Sequence, residues 1–353
     1  MPEIMSETSY QAAPARRRIL VIKLGALGDF ILSYRAMMAI RSRHRDDHLT
    51  LLTIPSLQGL AQKTGLFDEI WTDTRPGWLD LLGWWRLGRR LNGAGFTRVY
   101  DLQTNDRSGN YFRLTRPPFG GSRPEWSGNV RGCSHPHTDP RRETMHTLER
   151  QAEQLAIAGI ARSEYPPLDF SWVDADITRH RLDQDGAPYV LLVPGGSAGR
   201  LAKRWPAMRY AELALRLISI GYRPVVLGTA AEKEACATVA AASAAIQNLC
   251  DDSPILEVMA LARDAAGAVG NDTGPMHLIA AMGCPSLVLY SGVSDPGLTR
   301  PRGPYEGPGS RPPPPGRSAR TATWIRRQQL GVLKVDEVRG AMLLRRPPPQ
   351  APR

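Results

Sequence analysis

The stretch GNDTGPMHLIAAMGCP, Gly270 to Pro285, changes character halfway along. Six residues suited to turns and caps run straight into an apolar segment, with His277 at the join. AGAVG (266–270) reads as a strand entering it, and SLVLYSG (286–292) as a strand leaving it. Strand, tight loop, helix and strand make the repeating unit of a parallel α/β sheet. Pro275 suits the first helical position. A helix start carries unpaired N–H groups and about half a positive charge, so it attracts an anion. Gly274 lets a ligand approach the backbone, Thr273 offers a hydroxyl, and His277 faces the same pole from the first turn. Asp272 is anionic and suits a sugar hydroxyl or a helix cap rather than phosphate. In open α/β sheets ligands bind beyond the carboxyl ends of the strands, where this loop sits. The same residues would also serve an ordinary N-cap beside a buried histidine.

The pattern repeats on either side. PYVLLVPGG (188–196) is a strand whose following loop, VPGGSAGRLAKRWP (193–206), frees Gly195, Gly196 and Ser197 to offer N–H and O–H groups. Lys203 stands just before a Trp-Pro helix start. After the strand RPVVLG (223–228), the loop LGTAAEKE (227–234) places Glu232 where it could accept from a ribose diol, or simply be solvated. In the N-terminal half, RILVIKL (18–24) is a strand, followed by a glycine-rich turn and a helix with Phe30, Tyr34, Met37 and Met38 on one face. There KLGALGD (23–29) presents a carboxylate, Asp29, at the helix start. That carboxylate is an N-cap or, held ionised by the helix pole, a general base. Further strands fit 48–54, 69–72 and 98–104, with a helix at 79–91 between the last two. From 105 to 146 the periodicity fades into Arg, Gly, Pro and His. A helix over 144–160 leads to a polar connection, and PRGPYEGPGSRPPPPGRSAR (301–320) cannot be a regular element. A last amphipathic helix fits 335–344.

With 353 residues and 42% apolar content, the chain is long enough for two domains with real cores. No run of 18 or more apolar residues spans a membrane. Residues 16–32 have basic residues before an apolar run, but Lys23 and Asp29 interrupt it, so the segment reads as mature structure. Four cysteines (133, 236, 250, 284) without CxxC spacing suit a reducing, cytoplasmic setting. The net charge is +11, yet Arg300 to Arg353 holds 12 basic and 3 acidic residues. The body is therefore close to neutral and lacks aromatic-basic interleaving, which argues against a nucleic-acid partner. A basic tail suits anionic headgroups or is merely solvated. The pairs Asp174/Asp176 and Asp183/Asp185 fall in the polar connection rather than at a strand end. Cys133, His135 and His137 lack a fourth ligand at the usual spacing. No metal site is expected.

The pieces KLGALGD, VYDLQTNDRSG (99–109), PGGSAGRLAKRWP (194–206), LGTAAEKE and GNDTGPMHLIAAMGCPSLVLYSGVSDP (270–296) together resemble glycosyltransferase family 9, the ADP-heptose:lipopolysaccharide heptosyltransferases. The likeness runs from about 18 to 300 in the family's order. It implies a GT-B fold, an α/β architecture of two Rossmann-like domains whose parallel sheets face each other across a cleft, with a final helix crossing back to the first domain. It implies that Thr273, Gly274, Gly196, Ser197 and Lys203 face the diphosphate of an ADP-sugar, and that Glu232 holds the ribose. Asp272 and His277 would lie near the sugar, and Asp29 would deprotonate the acceptor hydroxyl for inverting attack. Two departures stand out. Gly25 replaces a frequent serine, and Arg35 replaces a frequent proline. The segment 301–320 is also unlike the family.

The expected division is a flexible N-terminus (1–16), an acceptor domain (17–160), a connection (161–185), a nucleotide-sugar domain (186–300), a Pro/Arg-rich linker (301–322), a C-terminal helix (323–346) and a tail (347–353). The expected function is inverting, metal-independent transfer of a heptose or similar sugar from an ADP-sugar co-substrate. No other cofactor is expected. The acceptor would be an anionic glycolipid of lipopolysaccharide-core type at the cytoplasmic face of the inner membrane, with peripheral membrane contact. The alternative is a non-catalytic sugar-nucleotide binder or scaffold of the same fold.

Overall fold

The computed structural model describes residues 16–73, 75–182, 186–196, 203–314, 318 and 320–345. The arm before residue 16, the tail after 345, Asp183, Asp185 and Ser197 lie outside the described residues.

The first half runs β1 (Arg18–Ile22), α1 (Leu27–Arg43), β2 (His48–Thr53), α2 (Pro55–Lys63), β3 (Glu69–Thr72), α3 (Leu81–Gly93), β4 (Phe96–Asp101), α4 (Asp106–Leu114), β5 (Glu125–Gly128), β6 (His135–Pro136) and α5 (Thr147–Ile157). Its strands form a parallel sheet in the order β3-β2-β1-β4-β5-β6. The second half runs β7 (Tyr189–Val193), α6 (Ala207–Ser219), β8 (Arg223–Val226), α7 (Lys233–Ala240), β9 (Gln247–Asn248), α8 (Ile255–Asp264), β10 (Gly267–Asn271), α9 (Gly274–Ala281), β11 (Ser286–Tyr290), α10 (Pro296–Thr299), β12 (Ala322–Arg326) and α11 (Val335–Ala341). Its sheet, in the order β12-β11-β10-β7-β8-β9, is also parallel. Each sheet therefore reverses direction once, between β1 and β4 and between β7 and β10. At such reversal points the loops diverge and leave a crevice for ligands. The two α/β sheets are those of the GT-B fold.

The central strands are apolar on both faces because helices cover both. Ile19 to Ile22 and Val190 to Leu192 are wholly buried. The two halves also share a core. Leu278 and Ala281 of α9 and Met259 of α8 pack with Phe30, Ile31 and Met37 of α1.

Three expectations change. The segment 105–146, whose periodicity fades, holds α4 and two parallel strands. Strands of four and two residues are too short to show alternation. The region expected as one C-terminal helix begins instead with strand β12, which pairs with β11. The last helix does not cross to the first domain. It has seven residues, and Val335, Val338 and Met342 are buried in the second core beside Leu330 and Leu333. The return contact is made by 298–308. His146 Nε2 donates to the Arg300 carbonyl at 2.9 Å, and Thr147 Oγ1 to the Leu298 carbonyl at 3.2 Å. Arg35, buried in α1, donates to the carbonyls of Pro304 (2.8 Å), Pro308 (3.2 Å) and Gly303 (3.3 Å). Two of the three departures from the family pattern thus meet: the arginine in place of proline is the clasp for the unusual segment.

Candidate active site

Asn271 closes β10 and is wholly buried. Its Nδ2 donates to the carbonyls of Pro194 and Gly195, both at 2.9 Å. Its Oδ1 accepts from Trp205 N at 2.9 Å and Tyr210 Oη at 3.1 Å. One amide thereby ties together the loop after β7, the start of α6 and the loop after β10. Trp205, stacked edge-on against Tyr210 with ring centroids 4.8 Å apart, fixes the chain two residues after Lys203. Lys203 Nζ reaches Asp272 Oδ2 at 2.9 Å, and each side chain is 12% exposed. Gly196 lies beside Thr273: a Cβ there would stand 3.7 Å from Thr273 Cγ2. Thr273 occupies the N-cap position of α9, but its hydroxyl caps nothing and is buried without a partner among the described residues. A polar atom so placed is free for a ligand.

Gly195, Gly196 and Thr273 line a cavity of about 350 Å³. Its apolar wall is Val193, Leu227, Ile255, Val258 and Leu278, and its polar groups come from Gly195, Gly196, Thr229, Glu232, Thr273 and Gly274. An apolar slot with a few convergent polar groups suits a planar base and its attached sugar. Glu232 lies across Gly195, where a side chain would collide with it. Its Oε2 accepts from Thr229 N at 2.8 Å and from the Thr229 hydroxyl. Its other oxygen has no hydrogen-bond partner among the described residues.

Leu27, from the first half, closes the same cavity. The N-termini of α1 and α9 touch there. A Cβ on Gly274 would stand 3.0 Å from Leu27 Cβ, and one on Gly28 would stand 2.6 Å from His277 Cδ2. Asp29 follows directly. It occupies the third helical position, not the N-cap, and its Oδ2 accepts from Ala26 N at 3.2 Å. One oxygen thus anchors the turn, and the other has no hydrogen-bond partner among the described residues. Burial lowers His277 to a pKa of about 4, against the pull of Asp272 and Asp29. The imidazole is thus neutral at pH 7, and its Nδ1 is buried without a partner among the described residues. It contributes shape and one hydrogen-bonding atom, not charge.

Residues outside the expected set join them. Lys23 is buried, and its pKa falls through desolvation while Asp29 and Asp101 oppose the fall. Asp101, at the end of β4, is raised by burial to about 6 although Thr104 N and Gln103 N donate to it. Arg150 of α5 is depressed by burial and by Arg142, with Glu143 and Asp29 opposing. The first sheet's reversal point is therefore a buried polar floor beneath Asp29. Lys23 stood in the quoted KLGALGD motif, but only the β1–β4 pairing brings Asp101 beside it. Among the described residues no three His, Cys, Asp or Glu side chains gather as metal ligands. Cys133 is buried with its Sγ toward the Gly128 carbonyl, and His137 lies 3.8 Å from Glu153.

A family model described as glycosyltransferase family 9 (heptosyltransferase) matches residues 84–307. The chain is 27% identical over 304 residues to lipopolysaccharide heptosyltransferase 2 of Escherichia coli K12, covering 80% of this chain and 85% of the relative. Among solved structures, E. coli ADP-heptose LPS heptosyltransferase II superposes with a TM-score of 0.65 at 22% identity, covering 91% of this chain and 96% of that one. E. coli heptosyltransferase WaaC with ADP gives 0.68 at 18% identity, covering 92% and 98%.

Proposed function

The chain belongs to glycosyltransferase family 9, and from that premise we propose that it moves a heptose from ADP-heptose to a lipopolysaccharide-core acceptor, with inversion. The observation that carries this reading is the meeting of α1 and α9. It brings the start of α1, which carries Asp29, against the start of α9, where Thr273 and Gly274 line one cavity with Leu27 and Gly196 and where the adjoining Asp272 pairs with Lys203. The similarity to an E. coli lipopolysaccharide heptosyltransferase, and the ADP held by a structural neighbour, support the donor and acceptor classes.

In this reading the base occupies the apolar slot, and Glu232 accepts from a ribose hydroxyl. The diphosphate lies against the α9 N-terminus, the Thr273 hydroxyl, Gly196 and the Lys203 ammonium. Lys203 spends one N–H on Asp272 and has two left for phosphate. Asp272 holds the lysine and faces the sugar. The acceptor hydroxyl attacks the anomeric carbon from the face opposite the diphosphate, its proton passes to Asp29, and the bond to the β-phosphate oxygen breaks. Negative charge grows on the departing ADP, where a fixed donor is worth about 3–4 kcal/mol. The lysine and the helix pole supply that neutralisation, so no step calls for a metal.

The test is ADP release from ADP-heptose and a Kdo-lipid A acceptor, in excess EDTA. Wild-type protein is expected to turn over. Asp29→Asn is expected to lose about 10²- to 10⁴-fold in kcat while ADP affinity stays within about twofold, since the base lies outside the nucleotide slot. Near-wild-type turnover by Asp29→Asn removes the proposed base. Binding of ADP without any turnover returns the reading to a non-catalytic binder.

A further inference from the structure

Helix α3 and the turn before it put large apolar side chains outward. Trp78 is 80% exposed, Leu79 95%, Leu81 77% and Trp85 55%, and Phe119 in the adjoining loop is 71% exposed. Trp78, Leu81, Trp85 and Phe119 line an open groove of about 670 Å³ between α3, the end of α4 and the 119–122 loop. The helix is anchored from beneath. Leu91 is buried in the first half's core with Leu87 and Trp84 packed against it, and Trp84 Nε1 donates to the Gly77 carbonyl at 3.0 Å. The outward face is thus a fixed surface and not a frayed segment. A contiguous exposed apolar patch of this kind marks an interaction site.

Charge tells which kind. Residues 75–131 carry ten arginines against four acids. Arg86, Arg89, Arg113 and Arg123 are exposed around the patch. The Arg89 guanidinium lies over the Trp85 ring, 4.9 Å from its centroid. None of the four makes an ion pair among the described residues. A two-fold dimer through this face would set these arginines against their own copies, which repels. Tryptophan and leucine on a short helix, ringed by cations, match instead the boundary between acyl chains and anionic headgroups.

We infer that the α3 face, with Trp78, Leu81, Trp85 and Phe119 inserted and Arg86 and Arg89 at headgroup level, docks the protein on an anionic phospholipid bilayer. Its position fits that use. Arg75 Nη2 donates to the Leu24 carbonyl at 2.8 Å, so the approach to α3 is bonded to the loop that carries Asp29. A bilayer on this face would present a membrane-borne acceptor at the mouth of the cleft. Only that orientation argument rests on the proposed transfer. Lipid binding is read without turnover and stands or falls separately.

The experiment is co-sedimentation of the full chain with phosphatidylcholine vesicles, with and without about 30 mol % phosphatidylglycerol. Wild-type protein is expected to bind the anionic vesicles. Trp78→Ser/Leu81→Ser/Trp85→Ser is expected to lower the apparent partition coefficient about tenfold or more. Arg86→Gln/Arg89→Gln, at exposed positions that leave the core untouched, is expected to lower it about tenfold on anionic vesicles and hardly at all on neutral ones. Wild-type failure to bind, or wild-type-like binding by both variants, overturns the inference. So does binding that vanishes when only the residues after 345 are removed, since the basic tail would then be the anchor. A wild-type dimer that the triple variant splits with no loss of vesicle binding also overturns it.

Discussion

His277 lies between the two halves, packed on Gly28 and influenced by Asp272 and Asp29, and burial holds it at about 4 against an ordinary 6.5. The folded state keeps the ring neutral while the unfolded chain takes up a proton below 6.5. This group's contribution to stability is therefore complete above pH 6.5 and declines as pH falls toward 4, by up to roughly 3 kcal/mol. Asp101, raised to about 6, acts with the opposite sign: its burdened carboxylate is relieved as pH falls. The two partly cancel in the whole protein, so the difference between variants isolates the histidine. Denaturant unfolding of wild type and His277→Asn at pH 7 and pH 5 is expected to show the steeper fall in the wild type. Equal slopes would mean that the ring is not desolvated.

At the scale of elements, the site depends on two helices meeting end to end. Parallel positive poles repel, and here the approach is made tolerable by Asp29 near one end and Asp272 near the other. Glycines at both contact points remove the side chains that would hold the ends apart. Gly28→Ala places a methyl 2.6 Å from Cδ2 of the buried His277 ring. The expected cost is about 1–3 kcal/mol in stability. A displacement of about 1 Å between base and donor groups is also expected to lower kcat/KM about 100-fold. Thermal unfolding and steady-state kinetics of that variant check both. Retained kcat/KM with a lowered melting temperature would show that the helix contact is structural alone.

Across the whole molecule, the two sheets are joined by a shared core and by the 298–308 segment. Arg35 is 3% exposed, and burial lowers it to about 10, with Glu306 opposing. It remains charged at pH 7 and has three backbone carbonyls as partners. Charge-assisted bonds of this kind are worth about 1.5–3 kcal/mol each when broken one-sidedly. Arg35→Met keeps most of the apolar stem and removes the clasp. Trypsin cleavage after Arg302 is then expected to quicken about tenfold, while the spectrum of secondary structure stays unchanged. An unaltered cleavage rate would mean that the ion pairs of Arg302 with Glu149 and of Arg300 with Glu306 hold the segment without it.

The strand-loop-helix units, the glycine-rich loops at strand ends and the family were all legible in the sequence. Each is a local pattern of apolar periodicity, glycine and capping residues. Asp29, Glu232, Asp272, Thr273 and Gly274 are at loop ends because short-range turn chemistry puts them there. What the chain could not reveal is everything that depends on two distant stretches meeting. Asn271 reads as a turn residue until its amide is seen tying three loops. Asp101 reads as a strand end until β4 pairs with β1 and sets it near Lys23. Arg35 reads as a lost proline until residues 303–308 fold onto it. Local periodicity carries the energy of single elements, whereas these contacts span from 66 to 273 positions and are fixed only when packed sheets exclude water from between them.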